Sequence, residues 1–85
     1  AFMELLVSVQ FCGSQRAVTR TNTIEMPLEG GGQVKDILNR INDSFPGLTL
    51  DERDITVSVN NKVSTMHHNL NANDTIAFLP HIGGG

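Results

Sequence analysis

Only one stretch of this chain carries a helical apolar period. Val34, Ile37, Leu38 and Ile41 fall at i, i+3, i+4 and i+7, so a helix here presents a single apolar stripe, and Phe45 extends it by one turn. Pro46-Gly47 stops it, and Gly30-Gly31-Gly32 separates it from what comes before. The other apolar stretches alternate with period two. A lone stripe has no second helix to pack on, so it must be buried against a sheet. With 85 residues there is room for one domain and one such layer pair.

The strands follow from the alternation. Residues 4–11 (ELLVSVQF) place Leu5, Val7, Val9 and Phe11 on one face. Residues 23–28 (TIEMPL) alternate Ile24, Met26 and Leu28 against polar partners. Pro27 has no N–H for a ladder, which argues for an edge strand. The polar, Thr-rich residues 16–23 between them read as a loop. After the helix, residues 49–54 form an acidic loop that accommodates a turn of 3₁₀ helix. Residues 55–59 (ITVSV) give a third strand, and Asn60-Asn61 a turn pair. Residues 63–66 read as a brief strand, 70–74 as a second turn, and 75–79 (TIAFL) as the last strand. The first and last strands are apolar on two faces, which suits the centre of a sheet. The expected fold class is α+β: a mixed sheet of four to five strands on one main helix, the β-grasp arrangement of ubiquitin-like proteins.

Composition narrows the function. The formal charge is −3, and the six Lys/Arg residues are scattered. That is not the basic footprint of a nucleic-acid binder, and without Trp or Tyr the usual stacking anchors are missing. No apolar run approaches the roughly 20 residues of a membrane span, and no signal-peptide pattern is present. The expectation is a cytoplasmic protein that binds neither nucleic acid nor membrane. Cys12 is the single cysteine, so no intramolecular disulfide can form.

Candidate chemistry is sparse. Cys12 and the histidines His67, His68 and His81 are not linked by any nucleophile motif, and Cys12 reads as a small apolar residue at a strand end. His67 and His68 are adjacent on an extended segment, point to opposite faces, and make a poor chelating pair. No Cys/His/Asp cluster has metal spacing. Gly30-Gly31-Gly32-Gln33-Val34-Lys35 matches neither phosphate-loop pattern. It precedes a helix, so a weak anion site at the helix N-terminus is physically possible, while a flexible strand-to-helix turn is the simpler reading. Asp51, Glu52 and Asp54 read as a solvated loop.

The C-terminal stretch AFLPHIGGG, residues 77–85, is different. Pro80 presets φ and ends sheet pairing. Beyond Ile82 no side chain projects, so such a tail enters a cleft too narrow for any Cβ. The chain is expected to divide into a β-grasp domain over residues 1–82 and a flexible glycine tail over residues 83–85. A carboxylate at Gly85 is a poor electrophile. Adenylation by a partner would convert it to an acyl-adenylate, and donor sulfur displacing AMP would leave a thiocarboxylate. The carrier needs no acid, base or metal of its own for this.

At these residues the chain resembles the ubiquitin-like sulfur carriers, above all the small subunit of molybdopterin synthase (MoaD-like), with the thiamine-pathway carrier (ThiS-like) as a cousin. The family's last strand and tail run approximately D-x-[VI]-A-[FL]-[FL]-P-P-[VI]-x-G-G. Here that register reads Asp74, Thr75, Ile76, Ala77, Phe78, Leu79, Pro80, His81, Ile82, Gly83, Gly84, Gly85. Val57, Val59 and Asn60 match a V-x-V-N turn, and Phe11, Cys12, Gly13 and Arg16 match an F-[FA]-G-x-x-R pattern loosely. The resemblance implies a non-catalytic subunit that carries sulfur for molybdenum or tungsten cofactor synthesis. It implies Gly85 as the reactive terminus, Gly83 and Gly84 as its tail, and no bound cofactor, with ATP consumed by the activating partner. The implied partners are an E1-like adenylating enzyme, a sulfur donor and the large catalytic subunit of the synthase. The implied docking surface is an exposed sheet face around the last strand: Phe78, Pro80, His81 and Ile82, with Phe11 nearby. The alternatives are a ubiquitin-like modifier joined to other proteins through the same glycine, a ThiS-like carrier for thiamine synthesis, and a plain β-grasp binding module whose glycines have no role.

Overall fold

A computed structural model describes residues 4–29 and 32–80. Strand β1 (Glu4–Gln10) leads through helix α1 (Ser14–Thr19) to β2 (Thr23–Glu29), and helix α2 (Val34–Ser44) follows. A 3₁₀ turn (Glu52–Asp54) opens the second half, which continues with β3 (Ile55–Val59), β4 (Lys62–Val63) and β5 (Thr75–Pro80). The five strands form one sheet in the order β2-β1-β5-β3-β4. β1 and β5 run parallel at its centre, and the remaining pairs are antiparallel. This is the expected β-grasp arrangement, with the first and last strands central. β2 lies at an edge, as Pro27 requires. Arg40 of α2 donates to the Pro27 carbonyl and blunts that edge further.

The core lies between one sheet face and α2. Val34, Ile37, Leu38 and Ile41 of the helix meet Val7, Val9, Met26, Leu28, Ile55, Val57, Val59, Ile76 and Phe78, all buried. The helix stripe is the one read from the sequence. Phe45 caps the helix and stands edge-on to the Phe11 ring, with centroids 5.7 Å apart.

Two segments differ from the sequence reading. Residues expected as a polar loop contain α1. Its six residues are too few to show an apolar period, and among them only Gln15 is buried. Gly13, at φ 53°, turns the chain into it, and Arg20, at φ 61°, closes it in the left-handed region. The brief strand expected at residues 63–66 is Lys62–Val63 instead. Beyond it the loop crosses to the start of α2, where Met66 and His68 carbonyls accept from Lys35 and Val34 N–H groups at 2.9 and 3.1 Å. The helix takes up carbonyls that a longer β4 would have used for pairing. The acidic segment holds the expected 3₁₀ turn, and Asp51 caps it. Asp51 accepts from the Arg53 backbone and guanidinium, which hold its carboxyl down at about 2.

Gly32 sits where the strand-to-helix connection presses on β2. A Cβ there would stand 2.5 Å from Leu28 Cγ, a buried side chain that would have to shift. Gly32→Ala is therefore expected to destabilise the fold by about 1–3 kcal/mol through overpacking, measured by urea unfolding. An unchanged midpoint would show that Leu28 relocates freely.

Candidate functional site

Strand β5 delivers the chain to the C-terminal stretch, so the site begins with how β5 is held. At its start, Asn60 and Asn61 form the β3–β4 turn with φ of 53° and 69°, a backbone shape that asparagine tolerates. The turn places Asn60 beside Thr75. The Asn60 N–H donates to the Thr75 carbonyl at 2.8 Å, and the Thr75 N–H donates to Asn60 Oδ1 at 2.9 Å. Asn60 Nδ2 donates to Asp74 Oδ1 at 2.9 Å, and the Asn71 N–H to Asp74 Oδ2 at 2.8 Å. Asp74 is buried, and these amide donors are what its carboxylate has in place of water.

At the other end the two neighbours of β5 part company. β3 stays paired through Ile55 opposite Pro80, whereas β1 pairs only as far as Gln10 opposite Ala77. Phe78 follows the parity of Ile76 and turns inward. Leu79 turns outward, opposite Thr56, and is 37% exposed. Pro80 is exposed and ends the described strand.

This arrangement corrects the expected docking surface. Phe78 is 1% exposed and Phe11 5%, so both belong to the core. The reason is the two-residue period: a strand cannot offer Phe78 to solvent while burying Ile76. Phe11 continues the inward face of β1 and meets Phe45. The outward residue that the sequence reading missed is Leu79, and its opposite parity to Ile76 was the signal for it. The outward face beside it is polar or small, with Thr56, Ser58, Gln10 and Ala77 in register. Pro80 keeps its expected place at the surface. His81, Ile82, Gly83, Gly84 and Gly85 lie outside the described residues.

The helix N-terminus does not provide an anion site. Val34 and Lys35 N–H groups are taken by loop carbonyls, the Gln33 N–H donates to Asp36 Oδ2 at 2.9 Å, and Gly32 donates to the Glu29 carbonyl. These donors are satisfied within the chain. Cys12 is half-buried at the end of β1, and His67 and His68 are exposed on the loop before β5. Among the described residues, no group of three or more His, Cys, Asp or Glu side chains comes together as a metal site.

Comparison with known proteins places this geometry. The family model described as the ThiS family matches residues 9–85. In structure, the chain is similar to a Pyrococcus furiosus protein described as molybdopterin converting factor, subunit 1, at 20% identity and TM-score 0.80, covering 92% of this chain and 99% of that one. It is similar to small archaeal modifier protein 1 from Methanosarcina acetivorans, at 25% identity and TM-score 0.74, covering 98% and 99%. It is also similar to a chain of the complex of subunits 1 and 2 of molybdopterin-converting factor from Helicobacter pylori, at 21% identity and TM-score 0.63, covering 95% and 100%. No curated protein gave a significant match in sequence.

Asn60→Ala removes both side-chain bonds that seat the start of β5 and leaves Asp74 short of a donor. It is expected to destabilise the domain by about 2 kcal/mol, read as a lower denaturant midpoint with an unchanged slope. A loss below about 0.5 kcal/mol would mean that water replaces the clamp.

Proposed function

The chain belongs to the ThiS family, and from that membership we propose that it is a sulfur carrier whose terminal Gly85 carboxylate is activated and thiolated, serving as the small subunit of a molybdopterin synthase. The observation that carries this reading is the last strand. β5 lies at the sheet centre, its inward side chains close the core at Phe78, and the sequence beyond Pro80 ends in three glycines. A rigid body therefore precedes a segment that offers only backbone to a partner's cleft.

The chemistry runs on the terminal carboxyl group. Its oxygen attacks the α-phosphorus of ATP on an E1-like enzyme, giving an acyl-adenylate and pyrophosphate. A donor persulfide then attacks the acyl carbon, the carbon–sulfur bond forms, and AMP leaves with the electron pair of the bond that breaks. A thiol reduces the remaining sulfur–sulfur bond and frees the thiocarboxylate. The large subunit of the synthase receives that sulfur. We assign its docking to the outward face beside Leu79 and Pro80, with Phe78 and Phe11 behind it as core. The likeness to the Helicobacter pylori complex of subunits 1 and 2 supports such a pairing.

A second reading has its own support. The likeness at 25% identity is to a small archaeal modifier protein and spans 98% of this chain. A modifier would use the same activated glycine, with a lysine amine as nucleophile in place of sulfur.

Intact-mass measurement on protein from the native host separates the two. The carrier reading expects a species with sulfur in place of one terminal oxygen. The modifier reading expects the chain joined through Gly85 to lysines of larger proteins. Deleting Gly84-Gly85 is expected to abolish sulfur transfer while leaving the thermal unfolding midpoint unchanged, because the described core is complete by Phe78. Full transfer by the truncated chain would refute the carrier reading, and its continued attachment to other proteins would refute the modifier reading.

A further inference from the structure

In the parallel ladder between β1 and β5, the Ser8 N–H donates to the Asp74 carbonyl at 2.8 Å. Such bonds repeat evenly along parallel strands, so four residues further along each strand the same slant would join the Cys12 N–H to the Phe78 carbonyl. That bond is not made directly. β1 has ended at Gln10, and Gly13 turns the chain aside. The Gln15 carboxamide stands in the gap. Its Oε1 accepts from the Cys12 N–H at 3.0 Å, and its Nε2 donates to the Phe78 carbonyl at 2.7 Å. Gln15 is 5% exposed and, with Asp74, one of two buried polar side chains among the described residues.

The site demands both an acceptor and a donor on one short planar group. A primary amide supplies them, an ionised carboxylate supplies only acceptors, and an aliphatic side chain supplies neither. The position is also special along β5. Up to Ala77 the strand is held from both sides, and beyond Phe78 only β3 continues. Gln15 is thus the last tie on the β1 side before the chain reaches Pro80.

We propose that Gln15 is a positioning residue whose amide fixes where β5 leaves β1, and so sets the direction in which the strand reaches Pro80. Its use in sulfur transfer rests on the carrier reading. Its role in the sheet does not.

Hydrogen exchange on the full chain tests the sheet role. In Gln15→Ala, the amides of Cys12 and of Leu79, which pairs with Thr56, are expected to exchange roughly tenfold faster or more. Val9 and Ile37 should keep their rates. In Gln15→Glu the loss is expected at Leu79 alone at neutral pH, because the carboxylate still accepts from the Cys12 N–H but faces the Phe78 carbonyl without a proton to donate. Protection at Leu79 should return as acid protonates the carboxyl and restores a donor. Loss of packing alone would not produce that pH response, and the Glu variant decides the matter if the Ala variant fails to fold. Unchanged protection in Gln15→Ala, or a Glu variant indifferent to pH, would overturn the proposal. For the functional consequence, ATP–pyrophosphate exchange is measured with the host's adenylating enzyme. Gln15→Ala is expected to lower kcat several-fold with KM for the carrier unchanged, because the outward face is intact. An unaltered kcat would refute the positioning role. A wild-type chain that supports no exchange would instead defeat the carrier reading, leaving the hydrogen-exchange result to judge Gln15.

Discussion

The parallel pairing of β1 with β5 brings Val7, Val9, Ile76 and Phe78 together beneath α2, and every other element is arranged around that row. Parallel neighbours cannot be joined by a tight turn and need a long crossover. Here the crossover is most of the chain: β2 and α2, then the β3–β4 turn, all lie between the two strands. The hydrophobic stripe of α2 is what makes the pairing worthwhile, since it covers the inward faces of both central strands at once. Because the partners are so far apart in sequence, the core closes only when nearly the whole chain has been ordered. Long-range pairing of this kind is associated with slower folding than local helix packing.

Side-chain amides finish what the backbone ladder leaves open. Asn60 and Asp74 seat the first residue of β5, and Gln15 ties its inner side at Phe78 after β1 has turned away. Unsatisfied polar groups in such places are costly, at about 1–3 kcal/mol each. Among the described residues, no buried side-chain nitrogen or oxygen is left without a partner. The outcome is a last strand held along its described length, from Thr75 to Pro80. For a protein proposed to deliver its own C-terminus, the held strand ends at Pro80, and His81 and Ile82 stand in the sequence between it and the glycines.

Much of the fold was legible from periodicity. The lone helix stripe, the turn pair Asn60-Asn61, the edge position of Pro27 and the central placement of the first and last strands follow from spacing and from what proline and asparagine permit. Helix α1 was not legible, because six residues with one buried glutamine carry no apolar period. The docking face was misread at Phe78 and Phe11, where two large aromatics drew attention that alternation should have redirected to Leu79.

The sequence by itself determined the composition of the core and the chemical character of its last stretch: one helical stripe, alternating strands, and glycines without side chains at positions 83–85. Tertiary structure alone decided which polar side chains became structural. Gln15 looks like any surface residue until Cys12 and Phe78, which lie 66 positions apart in the chain, are brought to either side of it. A hydrogen-bonding gap between two strands exists only once both strands are in place, and no local pattern of residues can announce it.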